Sequence, residues 1–389
     1  MISNQKEGIT VMRKNEKKMQ AIILVCCFLI FGILLVFAQV SRPASRVVSG
    51  IYYERGRVIS IIEENTEFIP PNLHPQQLLE VEIMSGEFRG NAFEVHNNLM
   101  SHRLRPFDVG DRVIVELSDY FIQVRSPDRE IVLLASMAIF LFLLAAIGGK
   151  RGILSMVGLI FSLVSVVFIL IPLTLAGFST ILISVVLSFL IVIQSITLLA
   201  GFSAKSLAAI IGCLSGVVLA ALFAFITGHL SFISGYHTEL AGSLMAHTFN
   251  EISLSGVFIS GVIIASIGAV SDTSVTISSA MEEIKTANPN LTFKELLKSG
   301  LNVGRDTMGT MSNTLILAFV GSSFSMILFI ATLGVTWIEF INNDAIGIEI
   351  IQGIAGSVGI ILTVPVTTVV AAKLSSSTFF NRNLTQMDE

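Results

Sequence analysis

The chain is 389 residues long, and 53% of its residues are hydrophobic while only 13% are charged. An ordinary soluble domain carries about 25% charged residues, so this composition excludes a water-soluble fold. The formal net charge is -4, and no cluster of basic residues is visible along the chain. Nucleic acid is therefore not expected as a partner, whereas the lipid bilayer is.

The first 40 residues join a cationic start to an apolar run. Residues 1–20 carry five Lys and Arg, and residues 21–40 follow without a charge. A signal peptide begins in the same way, but its apolar region is about 7 to 15 residues long. A run of about 20 residues matches ~30 Å of hydrocarbon. The sequence predicts a cytoplasmic N-terminus (1–20) and an uncleaved first transmembrane helix (21–40).

Residues 41–130 change to short alternating segments separated by Gly and Pro. Segments of this kind predict strands, and five of them in one stretch suggest a small barrel of OB or SH3-like type. The sequence does not choose between these two. We expect an extracytoplasmic all-β domain with strands at Arg57–Ile62, Leu78–Met84, Ala92–Asn97, Arg112–Leu117 and Phe121–Arg125.

Residues 131–372 are expected to form a membrane domain of seven more helices, about eight spans in all. The connections on one side carry the Lys and Arg residues, whereas those at 176–180, 228–253 and 338–347 contain none. Because cytoplasmic loops are enriched in Lys and Arg, this asymmetry predicts that both termini are cytoplasmic, including the tail 373–389. The spans are expected near 131–148, 153–175, 181–199, 206–227, 254–280, 310–337 and 348–372.

Three smaller features carry little functional weight. The string Leu-Ala-Gly-Phe-Ser occurs at 175–179 and again at 199–203. Repeats can mark transporter halves, but five common residues recur easily in a biased composition. The loop 228–253 holds His229, His237, Glu239 and His247, without the spacing that places metal ligands on one helix face. The cysteines Cys26, Cys27 and Cys213 lie in apolar runs and are interpreted as small apolar residues.

A polar stripe inside the membrane gives the strongest functional signal. Asp272 lies within an apolar helix, and an ionisable group there is costly enough to mark an ion pathway or a buried pair by default. At 3.6 residues per turn, Asp272, Thr276 and Ser279 share one helix face that leads toward the cytoplasm. We interpret these residues as candidates for ion coupling.

A second polar stripe is predicted from the same side. Residues 289–300 read as a short cytoplasmic amphipathic helix that ends at Gly300 or Gly304. The next span then places Asp306, Thr310, Asn313 and Thr314 along one face. If the two helices pack, Asp272 and Asn313 lie at similar depth. Gly268, Gly309 and Gly321 are the expected points of close approach.

Several motifs resemble the YibE/F-like family of bacterial multi-pass membrane proteins. In the membrane domain they are Ile267–Thr273, Ser278–Glu282 and Gly304–Ala318, and in the outer domain they are Glu82–Gly90 and Val109–Arg112. The resemblance covers residues 55–372 and implies topology, not chemistry. The order of an intramembrane Asp, an amphipathic helix and a polar-faced helix is also similar to the membrane half of resistance-nodulation-division and SecD/SecF proteins.

The sequence favours a proton- or ion-coupled transporter or export component that uses the Asp272 stripe. The alternative is a non-transporting scaffold or regulatory subunit that acts through its outer domain. No phosphate-binding glycine loop, Cys-x-x-Cys motif or nucleophile elbow is present, so neither an enzyme nor a cofactor is expected. Besides the bilayer, the partner to expect is a second membrane subunit of the same family or another copy of this chain.

Overall fold

The computed structural model describes residues 2–41, 51–65, 76–99, 105–118, 120–233 and 252–376. The chain divides into two compact units. One consists of residues 44–147, and the other joins residues 1–43 to residues 148–389.

The smaller unit contains a closed five-stranded barrel. Its strands occur where alternating apolar residues predict them, so all five expected strands are confirmed. They pair in the order β1-β2-β3-β5-β4 and close back onto β1. All of these pairings are antiparallel except that of β3 with β5. The strands are β1 (Ile51–Asn65), β2 (Gln76–Ile83), β3 (Ala92–Asn98), β4 (Arg112–Ser118) and β5 (Ile122–Pro127).

The barrel has its own core, because every second side chain along its strands points inward. Val58, Val81 and Val115 are almost fully buried there. Polar residues share this interior, among them Gln77 and Asn97, and Gln77 is satisfied by its neighbours. Its Oε1 accepts hydrogen bonds from Asn97 Nδ2 at 3.0 Å and from the Phe107 backbone N–H at 2.9 Å. This network joins β2 and β3 to the segment before β4.

The larger unit is helical. In chain order its elements alternate long apolar helices with short connections. The helix α2 begins in the smaller unit and is interrupted at Gly149, where φ is 54°. The helices are α1 (Ile2–Val40), α2 (Glu130–Ser165), a π-helix (Val166–Leu170), α3 (Ile171–Leu175), α4 (Thr180–Ala200), α5 (Ala204–Leu230), α6 (Leu254–Ala287), α7 (Phe293–Ser322), α8 (Phe324–Thr332), α9 (Trp337–Ile341) and α10 (Asp344–Ser376).

Within the described residues, six helices are long and apolar enough to cross a membrane. A seventh span results if α7 and α8, which are bent by 56° at their junction, count as one. A multi-pass membrane protein is therefore confirmed, but the expected number of eight spans is not. The difference arises at residues 130–175, which the sequence divides into two spans and which form one 46-residue helical stretch.

The helices α5, α6 and α10 form the centre of the bundle, with α4 and α7 packed against it. The central helices approach closely at Gly216 and Gly359, where the Gly216 carbonyl oxygen lies 2.8 Å from the place that a Cβ on Gly359 would occupy. One hydrogen bond crosses this contact, from Thr363 Oγ1 to the Gly212 carbonyl at 2.6 Å. Small residues at helix crossings permit such packing in membranes.

Two expectations about the second half of the chain are wrong. The predicted amphipathic helix at 289–300 is not a separate element, because α7 starts at Phe293 and continues through Gly300 and Gly304. Both glycines lie inside α7 at its contacts with α6 and α10, which outweigh their low helix propensity. The span expected at 310–337 is broken at the α7–α8 junction.

The repeated five-residue string has a local explanation. In both copies the glycine takes a positive φ, 86° at Gly177 and 75° at Gly201, which ends one helix. In both copies the serine then caps the next helix, since Ser179 accepts from the Leu182 N–H and Ser203 from the Ser206 N–H. The repeat therefore codes two similar helix-to-helix turns.

Candidate functional site

The helix α6 has one inner and one outer face. The inner face packs against α5 and α10, and its polar side chains are buried. Most of these hydroxyls bond the preceding turn of their own helix: Thr273 Oγ1 donates to the Ala269 carbonyl at 2.9 Å, and Ser274 Oγ to the Ser271 carbonyl at 2.9 Å. Such side chains are locally satisfied, so they have no need of a ligand.

Asp272 lies on the outer face of α6, near the middle of the helix. It and Thr276 are exposed, and Ser279 is half-buried, so the shared face that the sequence predicts for them is confirmed. Among the residues that the structure describes, no hydrogen-bond or ion-pair partner reaches the Asp272 carboxylate. Because a bare carboxylate is costly against lipid, water or another molecule has to meet this side of α6.

The second predicted stripe lies on α7 and is also exposed. Asp306, Thr310, Asn313 and Thr314 all face away from the bundle. The two threonines bond carbonyls of their own helix, Thr310 to Thr307 and Thr314 to Thr310, both at 2.9 Å. Asp306 and Asn313 are therefore the members of this stripe whose polar groups remain for an outside partner or for water.

The two stripes lie on helices that pack against each other in opposite directions. Gly304 of α7 approaches Ile277 of α6, and Gly300 approaches Met281, one turn along each helix. This register places Asp272 level with Gly309 of α7, while Asn313 lies about one turn beyond it. The expected similar depth of Asp272 and Asn313 is thus correct to within one turn.

The glycines chosen from the sequence as points of close approach are wrong. A Cβ on Gly268, Gly309 or Gly321 would meet nothing within 4 Å. The close contacts form instead at Gly212, Gly216, Gly300, Gly304, Gly356 and Gly359. The sequence could not separate the two groups, because which glycines face a neighbouring helix depends on how the helices are rotated in the bundle.

An ion pair closes one end of the bundle. Lys205 at the start of α5 binds Glu282 near the end of α6, with Nζ and Oε2 2.8 Å apart and both side chains largely covered. Sequence patterns do not predict this pair, because the two residues are far apart along the chain. Nearby, the buried Lys285 donates to the carbonyls of Pro289 at 2.8 Å and Leu291 at 3.0 Å, which holds the α6–α7 connection.

Sequence patterns also do not identify the buried polar groups of α4. Gln194 is fully buried, and its Oε1 accepts a hydrogen bond from Ser195 Oγ at 3.2 Å. Its Nε2, like the Thr197 hydroxyl, has no partner within the described part of the chain. Unsatisfied polar atoms in an apolar bundle are uncommon and mark places where water can enter.

A metal site finds no support in the described residues, where no group of three His, Cys, Asp or Glu side chains comes together. Of the loop residues weighed as ligands, His229 lies in α5. His237, Glu239 and His247 lie outside the described residues.

The fold and its polar-faced helices define a multi-pass membrane protein with a small β-barrel unit. The YibE/F-like protein family matches residues 136–377, which is more than half of the chain and includes both stripes. The chain belongs to the YibE/F-like family. Comparison with curated proteins gave no match, and comparison with solved structures gave none either.

Proposed function

We propose that this protein is an ion- or proton-coupled transporter or export component, and that the outer faces of α6 and α7 line its hydrophilic path. The observation that carries the proposal is the exposure of Asp272 in the middle of a membrane-length helix, beside a second helix with an exposed polar stripe. Polar residues at such depth occur in proteins mainly where water or an ion reaches them.

Each stripe has a separate role in this proposal. Asp272 is the group that takes up and releases the ion. Thr276 and Ser279 continue its face toward the Lys205–Glu282 end of the bundle. On α7, Asp306, Thr310, Asn313 and Thr314 extend the exposed polar surface, with Asn313 one turn from the level of Asp272. The substrate and the direction of transport are left open by this arrangement.

The proposal includes the cell membrane as the location, with both termini in the cytoplasm. It rests on the distribution of Lys and Arg, which follows the sidedness rule for loops.

Eight spans belong to the same proposal. The 46 residues from Glu130 to Leu175 correspond to about 69 Å of helix, more than twice the hydrocarbon thickness, and Gly149 interrupts them. A barrel of OB type is supported by the insertion of β5 between β3 and β4.

Ion flux through the purified protein in liposomes tests this function. With a pH-sensitive dye inside and an imposed potential, we expect the wild-type chain to carry protons faster than protein-free liposomes do. Asp272→Asn keeps the size of the side chain but removes its charge, and Asp272→Ala removes both. We expect each to lower the flux by about ten-fold or more, since the charged form is lost.

Glu283→Gln provides the matched control, because Glu283 is exposed near the end of the same helix, which closes at Ala287. We expect it to keep most of the flux. Gel filtration and thermal unfolding of every variant separate lost transport from lost folding. If Asp272→Asn conducts as well as the wild type, or if the wild type conducts nothing, the scaffold hypothesis becomes the better one.

A further inference from the structure

A cavity of about 320 Å³ lies at the other end of the bundle, between the end of α7 and the helices α8, α9 and α10. Its size falls at the lower end of the range of small-molecule sites, about 300 to 1,000 Å³. The walls are apolar side chains and two phenyl rings, with one carboxylate among them. The lining includes Ile316, Phe319, Phe340, Ile346, Ile350 and Glu349.

The carboxylate of Glu349 has no role at the start of α10. That start is capped by Asn343, whose Oδ1 accepts hydrogen bonds from the Ala345 N–H at 3.0 Å and the Ile346 N–H at 3.4 Å. Glu349 lies beyond the first turn, where the favourable interaction with the helix dipole has fallen off. A half-buried carboxylate in an apolar wall therefore needs another explanation.

The chain segment that lines the cavity carries charges of one sign. Residues 306–372 contain Asp306, Glu339, Asp344 and Glu349 and no Lys, Arg or His. The backbone N–H and the hydroxyl of Thr336 both donate to Glu339, which lowers the pKa of this carboxyl below its usual range. These carboxylates lie on the helix segments that line the cavity or adjoin it, and such a surface favours cations over anions.

We propose that this cavity binds an organic cation with an apolar body, such as a quaternary ammonium or phosphonium compound. The apolar walls take up the body, Glu349 neutralises the charge, and the rings of Phe319 and Phe340 offer faces to the cation. The inference concerns binding at this end of the bundle and does not depend on ion flux at Asp272.

Tetraphenylphosphonium and tetraphenylborate make a matched pair of probes, because they have nearly the same size and shape but opposite charge. Trp337 is the single tryptophan of the chain, and its ring lies 5.8 Å from the ring of Phe340 in the cavity wall. Quenching of its fluorescence therefore reports binding to the purified full chain. We expect the cation to bind at least about ten-fold more tightly than the anion.

Substitutions of residues that line the cavity distinguish a cation-binding site from a groove that holds a lipid acyl chain. Glu349→Gln should weaken phosphonium binding by about ten-fold and remove the preference over borate. Asp344→Asn is the control, since Asp344 is exposed at the helix start, and it should change binding less than about two-fold.

Substitutions of Gly353 test whether binding requires the volume of the cavity. A Cβ there would meet Ile316 and Phe319 at 3.8 and 3.9 Å, which is ordinary contact, so Gly353→Ala should fold and bind. Gly353→Leu should fill the cavity and weaken both probes. If the two probes bind equally and Glu349→Gln alters neither, or if neither probe binds, the proposal is overturned.

Discussion

At the scale of single residues, the packing of this bundle depends on glycines that face other helices. A Cβ on Gly216 would lie 2.6 Å from Val270 Cγ1 and 2.9 Å from the carbonyl oxygen of Gly359. The second of these contacts involves backbone, which cannot rotate away as a side chain can. The three central helices would have to separate to admit even a methyl group.

We therefore expect Gly216→Ala to destabilise the protein by about 1 to 3 kcal/mol, the usual cost of overpacking. Gly268→Ala is the control, because Gly268 faces open space on α6 and alanine favours helix. Thermal unfolding of the purified variants in detergent measures the difference. Equal melting of the two variants would mean that α5 and α10 are not in close contact.

At the scale of the elements, the barrel is the part whose structure is most directly encoded along the chain. Its strands alternate inward and outward residues, and its turns carry glycines with positive φ at Gly86, Gly90 and Gly110. Its core is formed within residues 58–124. These features favour independent folding, since a closed barrel leaves no unpaired edge.

Residues 50–127, expressed alone, are expected to give a β-type circular dichroism spectrum and one cooperative unfolding transition. In this domain Gln77→Ala should cost about 1 to 3 kcal/mol, because it leaves the buried Phe107 N–H and Asn97 amide without their acceptor. Gln76→Ala, on the exposed neighbour, should change the free energy of unfolding little. A non-cooperative melt would argue that the barrel needs the rest of the chain.

At the scale of the whole molecule, the distribution of Lys and Arg gives the proposed sidedness, and the packing of α5, α6, α7 and α10 agrees with it. The helix α5 runs opposite to α6 and to α10, and α7 runs opposite to α6, as the pairs Gly304–Ile277 and Gly300–Met281 illustrate. The neighbours α6 and α10 therefore run in the same direction, as the proposed topology requires of them. Leu230 at the end of α5 and Lys294 at the start of α7 are both exposed. The proposed topology assigns them to opposite sides of the membrane.

Labelling of intact cells with an impermeant thiol reagent tests this assignment. We expect Leu230→Cys to be labelled from outside, and Lys294→Cys to be labelled only after the membrane is opened. The unsubstituted chain gives the background from its three cysteines, of which Cys213 is fully buried. Labelling of Lys294→Cys in intact cells would invert the topology.

The sequence by itself determined the class of the protein, the five strands and the face that Asp272 shares with Thr276 and Ser279. These features depend on composition and on local periods of two and 3.6 residues, which are readable without knowing the neighbours. The same reasoning found the second stripe on α7. It also predicted that a helix ends at Gly300. That prediction is wrong, because the packing of Gly300 against neighbouring helices outweighs the local signal for a helix end.

Only the tertiary structure decided which glycines meet another helix, that Lys205 pairs with Glu282, and that Glu349 faces a cavity. Each depends on the rotation and register of helices that are distant in sequence, and a membrane helix shows little amphipathic pattern because lipid is as apolar as the bundle interior. For the same reason the sequence could place Asp272 on a face of α6 but could not tell that this face is the exposed one.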